Sequence, residues 1–342
     1  MTMVLEGGTG EVLAVAFQPD GKHLFGGTSN EIRRWRVADG EELGKQTGMN
    51  MYAISVSKDH KWVACGTTKG ASVWDAELRK LKVVEVERGD HVFSVDVSPA
   101  DCTKFATGTY TGKVTIWSIA TGEKLLGLLE HDGAVNGVKF SPDGGRLATT
   151  CSVNSTIHIF DAHNGDQLIS IENPIPADSF LSIAWTTHGE RLFAVSEDYK
   201  IKSFDSSTGC SLAEWHIHEN DEGPMSIALS ENGKFIASSA GRFVSLWDTS
   251  THTQLAIIEE TQKIQSIALS LDGSRLATGT IHPGSSIIWD LRSILPDSYL
   301  PGNVSTPFLK STITFIHEYL FLYTRKSPVP DCKCRIILRP EQ

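Results

Sequence analysis

The chain repeats itself seven times. Each unit closes on an aromatic residue and its neighbour: Trp35-Arg36, Trp74-Asp75, Trp117-Ser118, Phe160-Asp161, Phe204-Asp205, Trp247-Asp248 and Trp289-Asp290. Successive aromatics lie 39, 43, 43, 44, 43 and 42 residues apart. A unit of about 40–45 residues with this ending is one small sheet that cannot bury its apolar faces alone, and stacking such sheets builds a continuous core. The spacing predicts an all-β fold, a seven-bladed β-propeller of four-stranded antiparallel blades. It also overrides the two-domain expectation that 342 residues would raise.

The sixth unit shows the strand grammar. Met225–Ser230 alternates apolar with small or polar residues, Glu231-Asn232-Gly233 turns, and Phe235–Ser239 returns. Phe243–Trp247 and Gln254–Ile258 follow as third and fourth strands. The first turn recurs as Pro19-Asp20-Gly21, Pro142-Asp143-Gly144, Thr187-His188-Gly189 and Leu271-Asp272-Gly273. Second strands keep a small residue (Ala64, Ala106, Ala148, Ala194, Ala237, Ala277), which we expect near a central channel. The third-strand aromatics are expected to pack between neighbouring blades.

The Trp-Asp endings at 74–75, 247–248 and 289–290, with the Pro-Asp-Gly turns at 19–21 and 142–144, resemble the WD-repeat β-propeller family over residues 2–290. That resemblance implies a ring closed by pairing one terminus with the other. The last unit has only three strand-like segments, so Thr2-Met3-Val4-Leu5 is expected to complete it. The chain also departs from the family. Gly-His pairs are absent, and no unit combines the His, Ser/Thr, Asp and Trp of the family's buried hydrogen-bond relay, so apolar packing is expected to carry more of the ring.

Residues 1–290 are read as the propeller and 291–342 as a C-terminal tail. Six prolines punctuate the tail. Within 308–323, Leu309, Ile313, Ile316 and Leu320 fall at helical spacing, whereas the β-branched and aromatic content fits an extended segment equally well. The tail is thus short and irregular or helical.

Net charge is −10, divided as about −13 over residues 1–290 and +3 over the tail. Such a surface repels phosphate backbones, so nucleic acid is not an expected partner. Arg33-Arg34-Trp35-Arg36 is the densest basic stretch; strand alternation splits its charges, which reads as a solvated rim strand. Cysteines 65, 102, 151 and 210 fall singly in four units, a scatter that fits free thiols and a cytoplasmic or nuclear setting. No basic-then-apolar leader and no uncharged apolar run of 18 residues occurs, so no membrane association is expected.

No set of residues at catalytic spacing is present. His216-Ile217-His218 with Glu219, Asp221 and Glu222 is the most metal-like cluster, and Cys332-Lys333-Cys334 stands alone in the tail. Neither supplies three or four converging ligands, so metal, cofactor and catalysis are all read as none.

The loops that enter each first strand, and those between second and third strands, form one face in propellers of this kind. Read along the sequence, that face offers Met51, Tyr52, His91, Phe93, Phe180 and Met225 from the first set and Tyr110, Tyr199, Arg242 and Phe243 from the second. Aromatics, Met and Arg are common interface anchors. The expected function is a protein–protein interaction scaffold that acts as a monomer and grips a protein or peptide bearing basic residues. The alternatives are a sensor or substrate-receptor module of a larger signalling or ubiquitin-ligase assembly, and a propeller hydrolase with a metal in its channel.

Overall fold

The computed structural model describes residues 2–6, 10–86, 90–127, 131–153, 155–173, 179–217, 224–281, 285–300 and 335–337. These residues form seven antiparallel sheets in chain order around a channel. Blade one is Val12–Phe17, His23–Thr28, Glu31–Arg36 and Glu42–Thr47. The first strands of blades two to seven are Met51–Val56, Val92–Val97, Val135–Phe140, Phe180–Trp185, Pro224–Leu229 and Ile264–Leu269. Blade seven has three strands of its own, and Thr2–Glu6 supplies the fourth, with Thr2 opposite Trp289 and Leu5 opposite Ser286. The expected closure by the N-terminal strand is the one found.

The first hairpin of each blade is set by local chemistry. Gly21 and Gly144 adopt φ of 66° and 69°, a region where a Cβ would be strained. In blades two, four, five, six and seven a hydroxyl just before the turn then accepts the first backbone N–H after it. Ser141 Oγ takes Arg146 N at 2.9 Å, and Ser230 Oγ takes Phe235 N at 3.0 Å. Register is thereby fixed before any long-range contact forms.

The blades are held by apolar seams. Trp35 and Trp289 are 1% exposed, Phe160 is fully buried, and each packs back onto the preceding blade. Ala64 meets Val92 and Val95 of blade three, and Ala277 meets Val12 and Val15 of blade one. The alanines expected near the channel therefore lie in the seams instead. First strands alone line the channel, because they are innermost in every sheet. Close approach is completed by glycine. A Cβ on Gly66 would stand 2.6 Å from the Val92 carbonyl oxygen, and one on Gly279 would stand 2.7 Å from Val12 Cγ1.

Residues 291–300 cross from blade seven to blade six. Ile294, Leu295 and Leu300 are buried there, and Tyr299 Oη donates to Asp248 Oδ2 at 2.6 Å. Arg335–Ile337 adds a short strand to the outer strand of blade six, Gln254–Glu259, with Ile336 opposite Ile258. The helix considered over 308–323 lies outside the described residues. Arg33 is not on a rim strand: Glu31–Arg36 is third in its sheet, and Arg33 pairs with Glu31 and Glu42.

Part of the missing relay is rebuilt with other residues. His131, ahead of blade four, bonds Thr149 Oγ1 at 2.8 Å. In blade seven Glu260 holds the corresponding place: Thr278 Oγ1 donates to its Oε1 at 2.7 Å and Trp289 Nε1 at 3.0 Å. Glu260 is 2% exposed, and Oε2 has no partner among the described residues. Burial pushes this carboxyl up, only partly offset by those two donors.

Two outcomes follow from this packing. Removing residues 1–6 reopens blade seven and lowers the melting temperature by about 5 °C or more, measured by calorimetry. Glu260→Gln keeps the acceptor for Thr278 and Trp289 and removes a buried charge. A carboxyl raised above its unfolded value contributes fully at low pH and loses that contribution as pH rises through its folded value. The variant is therefore expected to melt higher than the parent at pH 7–8, with the gain shrinking toward pH 5.

Candidate functional site

Every first strand begins with the same irregularity. Val12 pairs with Thr28 and Ala14 with Gly27, which leaves Leu13 as the extra residue of a β-bulge. The same shift occurs between Met51 and Ala53, Val92 and Ser94, Val135 and Gly137, Phe180 and Ser182, Pro224 and Ser226, and Ile264 and Ser266. A bulge redirects one side chain out of the pleat. Here Leu13, Tyr52, Phe93, Asn136, Leu181 and Gln265 all line the channel as a result.

Two bulge residues and two loop residues assemble an aromatic cluster on blades two and three. Tyr52 and Phe93 have ring centroids 4.9 Å apart, Phe93 and Tyr110 5.5 Å, Tyr52 and His91 6.1 Å, and His91 and Tyr110 6.4 Å. All four contacts are edge-to-face, at 61–65°. Such pairs contribute about 0.5–1.5 kcal/mol each beyond area burial, so the rings hold one another in place. Tyr110 remains 56% exposed. The cluster is a preformed apolar ledge with polar hydroxyls at its margin.

Asp90 fixes the two loops beneath this ledge. It is 3% exposed and accepts Thr111 Oγ1 at 2.7 Å, Thr111 N at 3.1 Å and His91 N at 2.9 Å. Burial raises its carboxyl, and the donors of Thr111, Thr109 and His91 outweigh that, so the group sits below the usual carboxylate range. His91 Nδ1 lies 3.1 Å from the Thr68 carbonyl, which can only accept. Nδ1 therefore carries the proton, and the imidazole is tied to blade two.

The other expected residues are distributed differently. Met51 and Phe180 are fully buried, one position ahead of the bulge, and offer no surface to a partner. Tyr199, at φ 59°, is half-buried among blades five and six. Arg242 stacks on its neighbour Phe243 at 5.3 Å and pairs with Glu259 at 2.8 Å, on blade six and away from the cluster. Met225 is the bulge residue of blade six by register, and its side chain lies outside the described set. Leu13, Asn136, Leu181 and Gln265 were missed. Their sequence signal is the residue after the first apolar position of each first strand, which strict alternation assigns to the wrong face.

The channel encloses about 600 Å³. Its wall is mixed aliphatic and small, Val, Leu and Ile with Ala and Ser, and carries Asp96 and Lys139 as a charged pair 2.8 Å apart. Asp96 also accepts Phe140 N at 3.0 Å and Ser55 Oγ at 3.2 Å. At the far mouth Lys58 of blade two and Glu231 of blade six approach to 3.7 Å. Among the described residues no group of three His, Cys, Asp or Glu converges. His216 ends the outer strand of blade five, whereas His218–Glu222 and Cys332–Cys334 lie outside the described residues. Cys65, Cys102 and Cys151 are buried free thiols, and Cys210 is exposed. No helix among the described residues is long and apolar enough to cross a membrane.

The family model for the WD domain, G-beta repeat, matches residues 1–36, 122–161 and 209–248. Topless-related protein 4 of Arabidopsis thaliana is 28% identical over 231 residues, which cover 59% of this chain and 20% of that protein. Eukaryotic translation initiation factor 3 subunit I of Neosartorya fischeri is 28% identical over 181 residues, 49% of this chain and 52% of its own length. Small ribosomal subunit protein RACK1 of Caenorhabditis elegans is 27% identical over 163 residues, 45% and 49%. The chain thus spans about half the length of the latter two and a fifth of the first. Among solved structures, U3-55K superposes with a TM-score of 0.75 at 18% identity, over 85% of this chain and 98% of that one. The RRP9 WD40 repeats give 0.76 at 18%, over 84% and 97%. At that identity the likeness is one of fold.

Asp90→Ala is expected to lower stability by about 2–3 kcal/mol, since it removes a buried acceptor of three donors. Hydrogen exchange should rise locally at His91 and Thr111, with blades five to seven unchanged.

Proposed function

We propose that this chain, a WD-repeat β-propeller, is a protein–protein interaction scaffold without catalysis of its own. The observation that carries the reading is the ledge of Tyr52, Phe93, Tyr110 and His91, an ordered aromatic surface at the channel mouth that is left partly exposed. Aromatic anchors that are rigid before binding lose little side-chain entropy on contact and tend to dominate interface energetics.

The partner is a protein or peptide carrying Lys or Arg, because the repeat region bears about −13 charges and would steer such a partner. Relatives named as a subunit of a translation initiation factor and as a ribosomal subunit protein support membership in an assembly, and with it a cytoplasmic setting. The channel wall supports a non-catalytic role, as its two described carboxylates are already engaged: Asp96 is bonded to Lys139, Ser55 and the Phe140 N–H, and Glu231 approaches Lys58.

The test is affinity purification with the full chain and with Tyr52→Asp, Phe93→Asp and Tyr110→Asp combined. These positions are not the seam residues, so the ring is expected to keep its melting temperature within about 5 °C while the co-purifying protein is lost. A folded triple variant that still retains the partner removes the ledge as the binding surface.

A further inference from the structure

The first hairpin turns gather at the opposite end of the ring from the aromatic ledge. Where blade seven meets blade one, they enclose a second cavity of about 460 Å³. Its wall comes from the blade-one turn carrying Asp20, Lys22 and His23, from Arg36, from the blade-seven turn carrying Asp272 and Arg275, and from Arg292. Four fixed cations (Lys22, Arg36, Arg275, Arg292) and two carboxylates (Asp20, Asp272) line it, on a chain whose net charge is −10.

The two carboxylates are spent on their own turns. Asp20 Oδ1 accepts Lys22 N at 2.9 Å. Asp272 accepts Ser270 Oγ at 2.6 Å, Ser274 N at 3.1 Å and Ser274 Oγ at 2.7 Å. The cations fall into two classes. Arg36 holds Asp39 and Glu41, and Arg292 holds Asp290 through two contacts. Lys22 and Arg275 form no ion pair among the described residues.

Arg275 has an internal counterpart that shows what a satisfied arginine looks like at such a seam. Arg146, at the same place in blade four, donates to Ser206 O at 2.9 Å, Ser206 Oγ at 3.1 Å and Gly189 O at 2.7 Å, and lies over Trp185. Among the described residues the Arg275 side chain makes one hydrogen bond, to Gly21 O at 3.2 Å. Val37 stands where blade five has Ser206 and supplies no hydroxyl. Most of the five-donor fork of Arg275 is therefore unspent at the cavity wall.

We propose that this cavity binds a phosphate monoester, with Arg275 and Lys22 as its direct ligands. A phosphate monoester carries about −1.5 to −2 charge at neutral pH, which the two cations without an ion pair, Lys22 and Arg275, match, and its oxygens fit an arginine fork. The cavity is larger than the bare anion, which leaves space for the group that bears it. The site lies away from the aromatic ledge and does not depend on the scaffold reading.

The experiment is titration of the full chain with inorganic phosphate and, separately, with a phosphoserine peptide, at ionic strength held constant with chloride. Binding is followed by calorimetry and by the rise in melting temperature that a native-state ligand produces. Lys22→Gln and Arg275→Gln are each expected to weaken binding at least tenfold, while Lys69→Gln, the same charge change on an exposed loop of the other face, leaves it unaltered. The Lys22 amine makes no contact that holds the fold, so its variant decides the matter even where Arg275→Gln is destabilised. Binding of phosphate alone identifies a free anion as the ligand, and binding of the peptide alone identifies a phosphorylated partner; either supports the site. Absence of binding to both, or binding that survives Lys22→Gln, overturns it.

Discussion

The seam between neighbouring blades is the contact on which everything else rests. A single four-stranded sheet of this chain has two apolar faces and cannot exist in water alone. Each third-strand aromatic turns back onto the preceding blade, and second-strand alanines such as Ala64, Ala237 and Ala277 meet the first strand of the next. The two contacts are complementary in size: a large side chain on one side, and Ala or Gly that lets backbone approach on the other. Gly66 against the Val92 carbonyl shows how little tolerance remains. Because every seam needs both neighbours, the ring gains its stability only when closed, and Thr2–Glu6 is the element that closes it.

The same geometry dictates where function can reside. First strands are innermost and nearly all of their side chains are committed to seams or to the narrow channel. The bulge near the start of each one releases a single residue to the channel mouth. The identity of that residue varies from blade to blade, Leu, Tyr, Phe, Asn and Gln among them. Blades two and three place Tyr52 and Phe93 there, and the neighbouring loops add His91 and Tyr110. Asp90 then ties the two loops together, so that an exposed surface acquires the order of a core.

Departures from the repeat are informative in the same way. Blade seven uses a buried glutamate where blade four uses histidine, and the change swaps an imidazole for a carboxyl whose charge is penalised by burial. The seam between blades seven and one lacks the serine that satisfies Arg146 in blade four, and a cavity lined by arginine and lysine stands in its place. Symmetric positions act as internal controls, because the backbone is held nearly constant while one side chain differs.

Much of the fold was legible from residue order. Aromatics spaced 39–44 residues apart fix seven units, Asp-Gly turns fix the first hairpins, and a last unit with three strands demands a fourth from elsewhere. These are local or periodic signals, and the pleat and the turn read them directly. Part of the candidate surface was legible as well: of the residues read from the sequence, Tyr52 and Phe93 at first-strand bulges and His91 and Tyr110 in the neighbouring loops come together. What only the tertiary structure decided is which neighbours those residues meet. A bulge shifts the pleat by one residue, so Met51 and Phe180 are buried while Leu13, Asn136, Leu181 and Gln265 reach the channel. Arg275 and Lys22 stand far apart in sequence, and the closing of the ring brings them together; Glu260 with Trp289 and Asp90 with Thr111 meet within one blade, where the folded path of the entry loop decides the contact.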